Sequence, residues 1–124
     1  MLKFLKLYFF SFFVILAFNL QAQVSFDAKV SKKRLGLNER LRIDFEMNEN
    51  GDNFNPPLFK NFQIISGPQQ AVSRSWVNGV QSFSKTYTYF LTPRSKGNFT
   101  IGQAVVTING EIYKTSPIEI EVTN

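Results

Sequence analysis

Residues 67–104, GPQQAVSRSWVNGVQSFSKTYTYFLTPRSKGNFTIGQA, decide how the chain is read. At their centre Tyr87-Thr88-Tyr89-Phe90-Leu91 combines aromatic and β-branched residues, the composition of a strand. Asn78-Gly79 precedes it as a two-residue hairpin turn, and Pro93–Asn98 follows it as a turn rich in Pro, Ser and Gly. Phe83, Tyr87, Tyr89 and Leu91 fall on one face of this strand, and Thr86, Thr88 and Phe90 on the other. Apolar character on both faces near the strand's end predicts a central place in its sheet.

Working outward, the same period of two recurs. Val24, Phe26, Ala28 and Val30 alternate with polar residues, and Leu41, Ile43, Phe45 and Met47 alternate with Arg40, Arg42, Asp44 and Glu46. Leu35–Asn38 reads as a turn between them, and Phe59–Ser66 as a third strand ended by Gly67-Pro68. Ala71–Val77 is a fourth strand, and Val80–Thr92 the fifth. Phe99–Ile108 is a sixth, with a bulge where the alternation shifts at Gly102-Gln103. Asn109-Gly110 is a second tight hairpin turn, and Glu111–Val122 is the last strand. Pro117 interrupts that strand, which points to an edge or to a switch between sheets. About seven short strands with regular turn signals predict an all-β, immunoglobulin-like sandwich over residues 23–124. In that frame Tyr87 or Tyr89 is a candidate tyrosine corner, tying down a loop through its hydroxyl.

Residues 1–22 read differently. Lys3 and Lys6 precede an apolar run, Leu7–Leu20, that is too short to span a bilayer as a helix, and Ala22 offers a small residue at a cleavage point. This is the pattern of a signal peptide, with an uncleaved N-terminal anchor as the alternative, and it predicts export to the periplasm or the periplasmic face of the cytoplasmic membrane. Without Lys3 and Lys6 the chain keeps 12 basic and 9 acidic residues, a surplus of +3. So small a surplus does not indicate nucleic acid.

The chain has no Cys and no His. Disulfides, thiol nucleophiles, zinc sites built on Cys or His, haem ligation and Ser-His-Asp triads are excluded within it. Asp44 and Glu46 share a strand face with Arg40 and Arg42, which makes them a solvated ion ladder rather than an acid–base pair. The loop Asn48–Pro57 is rich in oxygen-bearing side chains, yet its Gly51 precedes Asp52 and no Glu closes it as an EF-hand requires. No catalytic residue, metal ligand, cofactor or small-molecule substrate is therefore expected.

The hairpin Arg74-Ser75-Trp76-Val77-Asn78-Gly79 sets an Arg and a Trp beside a tight turn, and both types are enriched at interaction hot spots. Arg74, Trp76, Asn78 and Gly79 are the candidate partner-binding residues. The competing reading makes Trp76 the core tryptophan of a sandwich. A carbohydrate-binding module is the alternative function, with Trp76, Tyr87, Tyr89 and Tyr113 as stacking faces.

The ordered set Pro57-x-Phe59-x-x-Phe62, Ser66-Gly67-Pro68, Val77-Asn78-Gly79, Tyr87-x-Tyr89-x-Leu91-x-Pro93, Gly97-x-Phe99-x-Ile101-Gly102-x-Ala104 and Ser116-Pro117 resembles the first extracytoplasmic domain of the BatD family, the oxygen-tolerance or aerotolerance proteins. The resemblance covers essentially all of residues 23–124. It implies a cell-envelope protein with tandem β-sandwich domains and a membrane helix further on, working beside Bat partners that carry von Willebrand A-type or tetratricopeptide domains. It implies scaffolding or binding, not catalysis; for this chain by itself, membrane association is expected only through partners or an uncleaved leader. Ending after one domain, the chain is expected to be a fragment, a shortened relative or one piece of a split protein.

Overall fold

Strand β3 (Leu41–Met47) alternates without a break, and its four apolar residues are fully buried while Arg42 faces solvent. It pairs antiparallel with β1 (Phe26–Val30) on one side and with β6 (Val80–Pro93) on the other. Beyond β6 lies β5 (Phe62–Val77), so the first sheet runs β1-β3-β6-β5 and β6 is interior, as its two-sided sequence requires. The structure is a computed structural model, and it describes residues 23–124. The signal peptide expected at 1–22 lies outside the described residues.

Two three-stranded sheets supply the rest of the core. One is ordered β2-β10-β7, with β2 Arg34–Gly36, β10 Ile118–Thr123 and β7 Gly97–Ile101; the other is β4-β8-β9, with β4 Asp52–Asn55, β8 Val105–Ile108 and β9 Glu111–Lys114. Leu35, Ile101, Val106, Ile108, Ile120 and Val122 from these sheets join β3 and β6 in a single buried cluster, the interior of a β-sandwich. Phe54 of β4 locks the layers together. It meets Phe26 edge-on, tilts against Phe45 and stacks flat on Tyr87 with ring centroids 4.1 Å apart.

The fold class stands, and the strand boundaries change. The described residues hold ten strands where about seven are expected. Phe59–Ser66 and Ala71–Val77 are joined in the sixteen-residue β5, whose register slips between Ile64 and Ser66 and again between Ser66 and Gln69. Gly67, at φ 115°, passes so close to β6 that a Cβ there would lie 2.6 Å from the Thr88 carbonyl oxygen. Pro68 is tolerated because β5 is an edge strand and a missing N–H costs little there.

Other boundaries move for similar reasons. The expected bulge at Gly102-Gln103 is a crossing between sheets, from β7 to β8. Pro117 marks a second such switch, between β9 and β10. Part of the expected turn Leu35–Asn38 is taken by β2, which lies parallel to β10. The polar loop 48–57 contains β4, recruited by Phe54 despite Asp and Asn neighbours of low strand propensity. Neither tyrosine forms a corner: Tyr87 stacks on Phe54, Tyr89 is buried against Phe45 and Phe59, and neither hydroxyl makes a hydrogen bond among the described residues.

At the β9–β10 switch Thr115 is buried to 1% exposure. Its hydroxyl accepts from the Ala104 N–H at 2.9 Å, and its own N–H donates to the Ala104 carbonyl at 3.0 Å. Thr115→Val keeps the volume and strands a buried N–H, so it should lower unfolding stability in urea by about 1–3 kcal/mol. Thr115→Ser keeps the oxygen and should recover most of that loss; equal loss in both variants would assign Thr115 a packing role only.

Burial, with Tyr87 adding to it, raises the Tyr89 hydroxyl above the ordinary tyrosine value. An unfolded chain ionises this group at about pH 10, before the folded one does. The resulting stability is intact below that pH and is lost as pH rises through the folded value. Thermal unfolding should therefore soften in alkali, and Tyr89→Phe should flatten part of the slope. Tyr113, raised by burial and by Glu111, should carry part of the remainder.

Candidate functional site

β5 and β6 pair from Phe62 opposite Pro93 to Val77 opposite Val80. β3 accompanies β6 only as far as Met47 opposite Lys85. Past that point Ser73–Val77 and Val80–Ser84 form a two-stranded ribbon with no third strand among the described residues, roughly 17 Å long at a strand's usual rise. Asn78 and Gly79 close it, with φ of 51° and 78°. Both are left-handed, the requirement of the I′ turn whose twist matches the flanking strands.

The turn sets the register, and the register gives the ribbon two unlike faces. Val72, Arg74 and Trp76 share one face with Gln81, Phe83 and Lys85. Ser73, Ser75 and Val77 share the other with Val80, Ser82 and Ser84, where the Ser75 and Ser82 hydroxyls are hydrogen-bonded across the strands. On the first face the Arg74 guanidinium lies 5.2 Å from the centre of the Phe83 ring directly opposite. This cation–π contact covers Phe83 and holds the Arg74 stem against the sheet. Lys85 sits 5.5 Å from the Tyr87 ring and donates to Asn50 Oδ1 at 3.2 Å, which ties the ribbon's root to the loop after β3.

Trp76 is 69% exposed at the end of this face, so it is not a core tryptophan. Val77 and Val80, on the opposite face at the same end, are 64% and 68% exposed. The structure thus gathers all four predicted residues, Arg74, Trp76, Asn78 and Gly79, on the end of one projecting element. Val72, Phe83, Val77 and Val80 also belong to the surface. The Asn-Gly pair carries the signal for them, because an I′ turn dictates which residues stand opposite each other. At the root, Asn48, Glu49, Asn50, Arg74, Gln81 and Phe83 border an open cleft of about 540 Å³.

The remaining expected features are dispersed. Of the four rings in the carbohydrate reading, Tyr89 is buried, Tyr87 is covered by Phe54 and Tyr113 is half-buried, so they form no common platform with Trp76. Asp44 accepts from Arg42 Nε at 3.2 Å and from the Thr88 hydroxyl. In the polar loop Asn48 bonds the backbone of Gln23 and Ser25, and Glu49 accepts from Asn109.

A family model, the BatD DUF11-like domain, matches residues 28–122. The chain belongs to the BatD family. The match runs from β1 into β10 and includes the whole ribbon, so the ribbon is part of the BatD domain and not an appendage to it. No curated protein matches the chain. BatD domains are typically extracytoplasmic. Among the described residues no helix is long and apolar enough to cross a membrane.

Trp76 is the sole tryptophan, so its fluorescence reports on the ribbon alone. Emission should fall at the wavelength of a solvated indole and be quenched readily by acrylamide. A blue, quencher-resistant emission from the folded chain would place Trp76 against protein and contradict the open ribbon.

Proposed function

We propose that this BatD domain is a non-catalytic, exported binding module that engages an envelope protein through the end of the β5–β6 ribbon. The exposure of Trp76 on an element that adds nothing to the core carries this reading. Two-stranded ribbons are marginal on their own, and three exposed apolar side chains at the end of one are a cost without a partner. An Arg beside a Trp on a stiff hairpin suits the centre of a protein interface, where both supply large contact area at modest loss of side-chain freedom. The partners suggested by family membership are Bat proteins with von Willebrand A-type or tetratricopeptide domains, and the module acts with them in an assembly linked to oxygen or stress tolerance.

The test is affinity capture from detergent-solubilised envelopes of the chain's own host, using residues 23–124 and an Arg74→Ala/Trp76→Ala variant. Neither substitution touches the core, and the Arg74 change removes one exposed cation–π contact with Phe83, so the variant should unfold within about 1.5 kcal/mol of the parent. The expected outcome is recovery of von Willebrand A-type or tetratricopeptide membrane proteins by the parent and at least a tenfold loss with the variant. Equal recovery by both would remove the ribbon from the interface.

A further inference from the structure

Charge is sorted along the strand axis of this domain. Between Asp52 and Glu111 the chain has no acidic residue at all, while Lys60, Arg74, Lys85, Arg94 and Lys96 fall in that interval. Strand register shows where the charges collect. The end of β1, the start of β3, the end of β6 and the start of β5 lie together, with Val30 opposite Ile43, Leu41 opposite Leu91, and Phe62 opposite Pro93. The connections at that end are 31–33, 37–40, 56–61 and 94–96.

These connections hold Lys32, Lys33, Arg40, Lys60, Arg94 and Lys96. Two of the acids there are matched, Glu39 by Lys32 at 2.7 Å and Glu121 by Arg34 at 3.7 Å, and Glu119, which accepts from the Thr100 hydroxyl, is the one acid that offsets the unpaired cations. The Lys32 contact, with the Gly36 N–H, also holds the Glu39 carboxyl below its usual range, so the acid stays ionised and satisfied. Lys33, Arg40, Lys60, Arg94 and Lys96 are exposed and make no ion pair among the described residues. The opposite end, from which the ribbon projects, gathers Glu49, Asp52 and Glu111 around the Asn109-Gly110 turn.

We propose that the cationic end docks the domain on a bilayer surface carrying anionic phospholipid, with the β5–β6 ribbon directed away from it. The five cations come from four separate connections, so they form a broad face rather than a pocket. The cleft at this end, about 430 Å³ between Pro56–Asn61 and Thr100–Gln103, is lined by Lys60 as its only cation. Such an arrangement suits an extended sheet of negative charge better than one small anion. Leu58, 82% exposed in the same cleft wall, adds an apolar side chain that can enter the headgroup layer between the cations. This inference does not depend on what the ribbon binds.

Flotation of residues 23–124 with vesicles tests it; the sixteen buried apolar residues found among the described residues lie between Phe26 and Val122, so this piece carries that core. Phosphatidylcholine vesicles with and without phosphatidylglycerol are compared at low and high salt, alongside a Lys60→Gln/Arg94→Gln/Lys96→Gln variant checked for folding by circular dichroism. The expected result is binding only to the anionic vesicles, weakened by salt. A headgroup contact is worth about fivefold in affinity per cation, so the triple variant should lose roughly a hundredfold. Trp76 emission should not change on binding.

Four results would overturn the proposal. They are equal binding to neutral vesicles, unchanged binding by the variant, a blue shift of Trp76 that puts the ribbon in the lipid, and binding to soluble polyglutamate without binding to vesicles. The last would assign the cationic end to an acidic macromolecule.

Discussion

The antiparallel pairing of β3 with β6 is the constraint on which the rest of this domain depends. Ile43 opposite Tyr89 and Phe45 opposite Tyr87 place two apolar rows on one side and Asp44 opposite Thr88 on the other. A slip of one residue would turn every one of these side chains to the wrong face. The cost would be the burial of Leu41, Ile43, Phe45 and Met47 together, far more than any loop could restore. The second layer is built on that face. Phe54 reaches across to Phe26, Phe45 and Tyr87, and the two smaller sheets close over the remaining apolar rows.

Where alternation is strict, the sequence is a faithful guide to this fold. β1, β3 and β6 appear at their expected places, and both Asn-Gly pairs make the turns that their chemistry requires. What periodicity cannot report is which sheet a strand joins. Phe99–Ile108 looks like one interrupted strand, because a crossing of three residues and a bulge leave the same trace in the alternation, whereas in Glu111–Val122 it is Pro117 that signals the switch between sheets. β2 and β4 are concealed for another reason. They are three and four residues long and are held by one side chain each, the buried Leu35 and the half-buried Phe54, so their pairing is imposed by tertiary contact rather than by propensity.

The candidate site was legible in its residues and not in its form. Arg74, Trp76, Asn78 and Gly79 stand out by type and spacing. Their projection beyond the sandwich follows from the pairing of β6, with fourteen residues, and β3, with seven; the alternation shows both lengths, but no local pattern records that the two strands pair or where the pairing stops. The same geometry explains why the ribbon holds its shape. Arg74 over Phe83 and the paired serine hydroxyls give each face of the ribbon its own cross-strand contact, while Lys85 anchors the root. The exposed tip and its support are thus made from the same two strands, and none of the buried core residues lies between Ser73 and Ser84.

The slipped register of β5 has a consequence for life in a crowded compartment. A straight edge of sixteen residues would present an unbroken row of amide and carbonyl groups, a template on which foreign strands could stack into fibres. The two slips around Gly67-Pro68 divide that row, and the proline removes one donor from it. Phe62–Ile64 is left too short to hold an intruding strand by backbone bonds alone, so a continuous template remains only over Gln69–Val77. Strand addition on this edge is therefore confined to the projecting half of β5 and cannot run on without a break into the body of the sandwich.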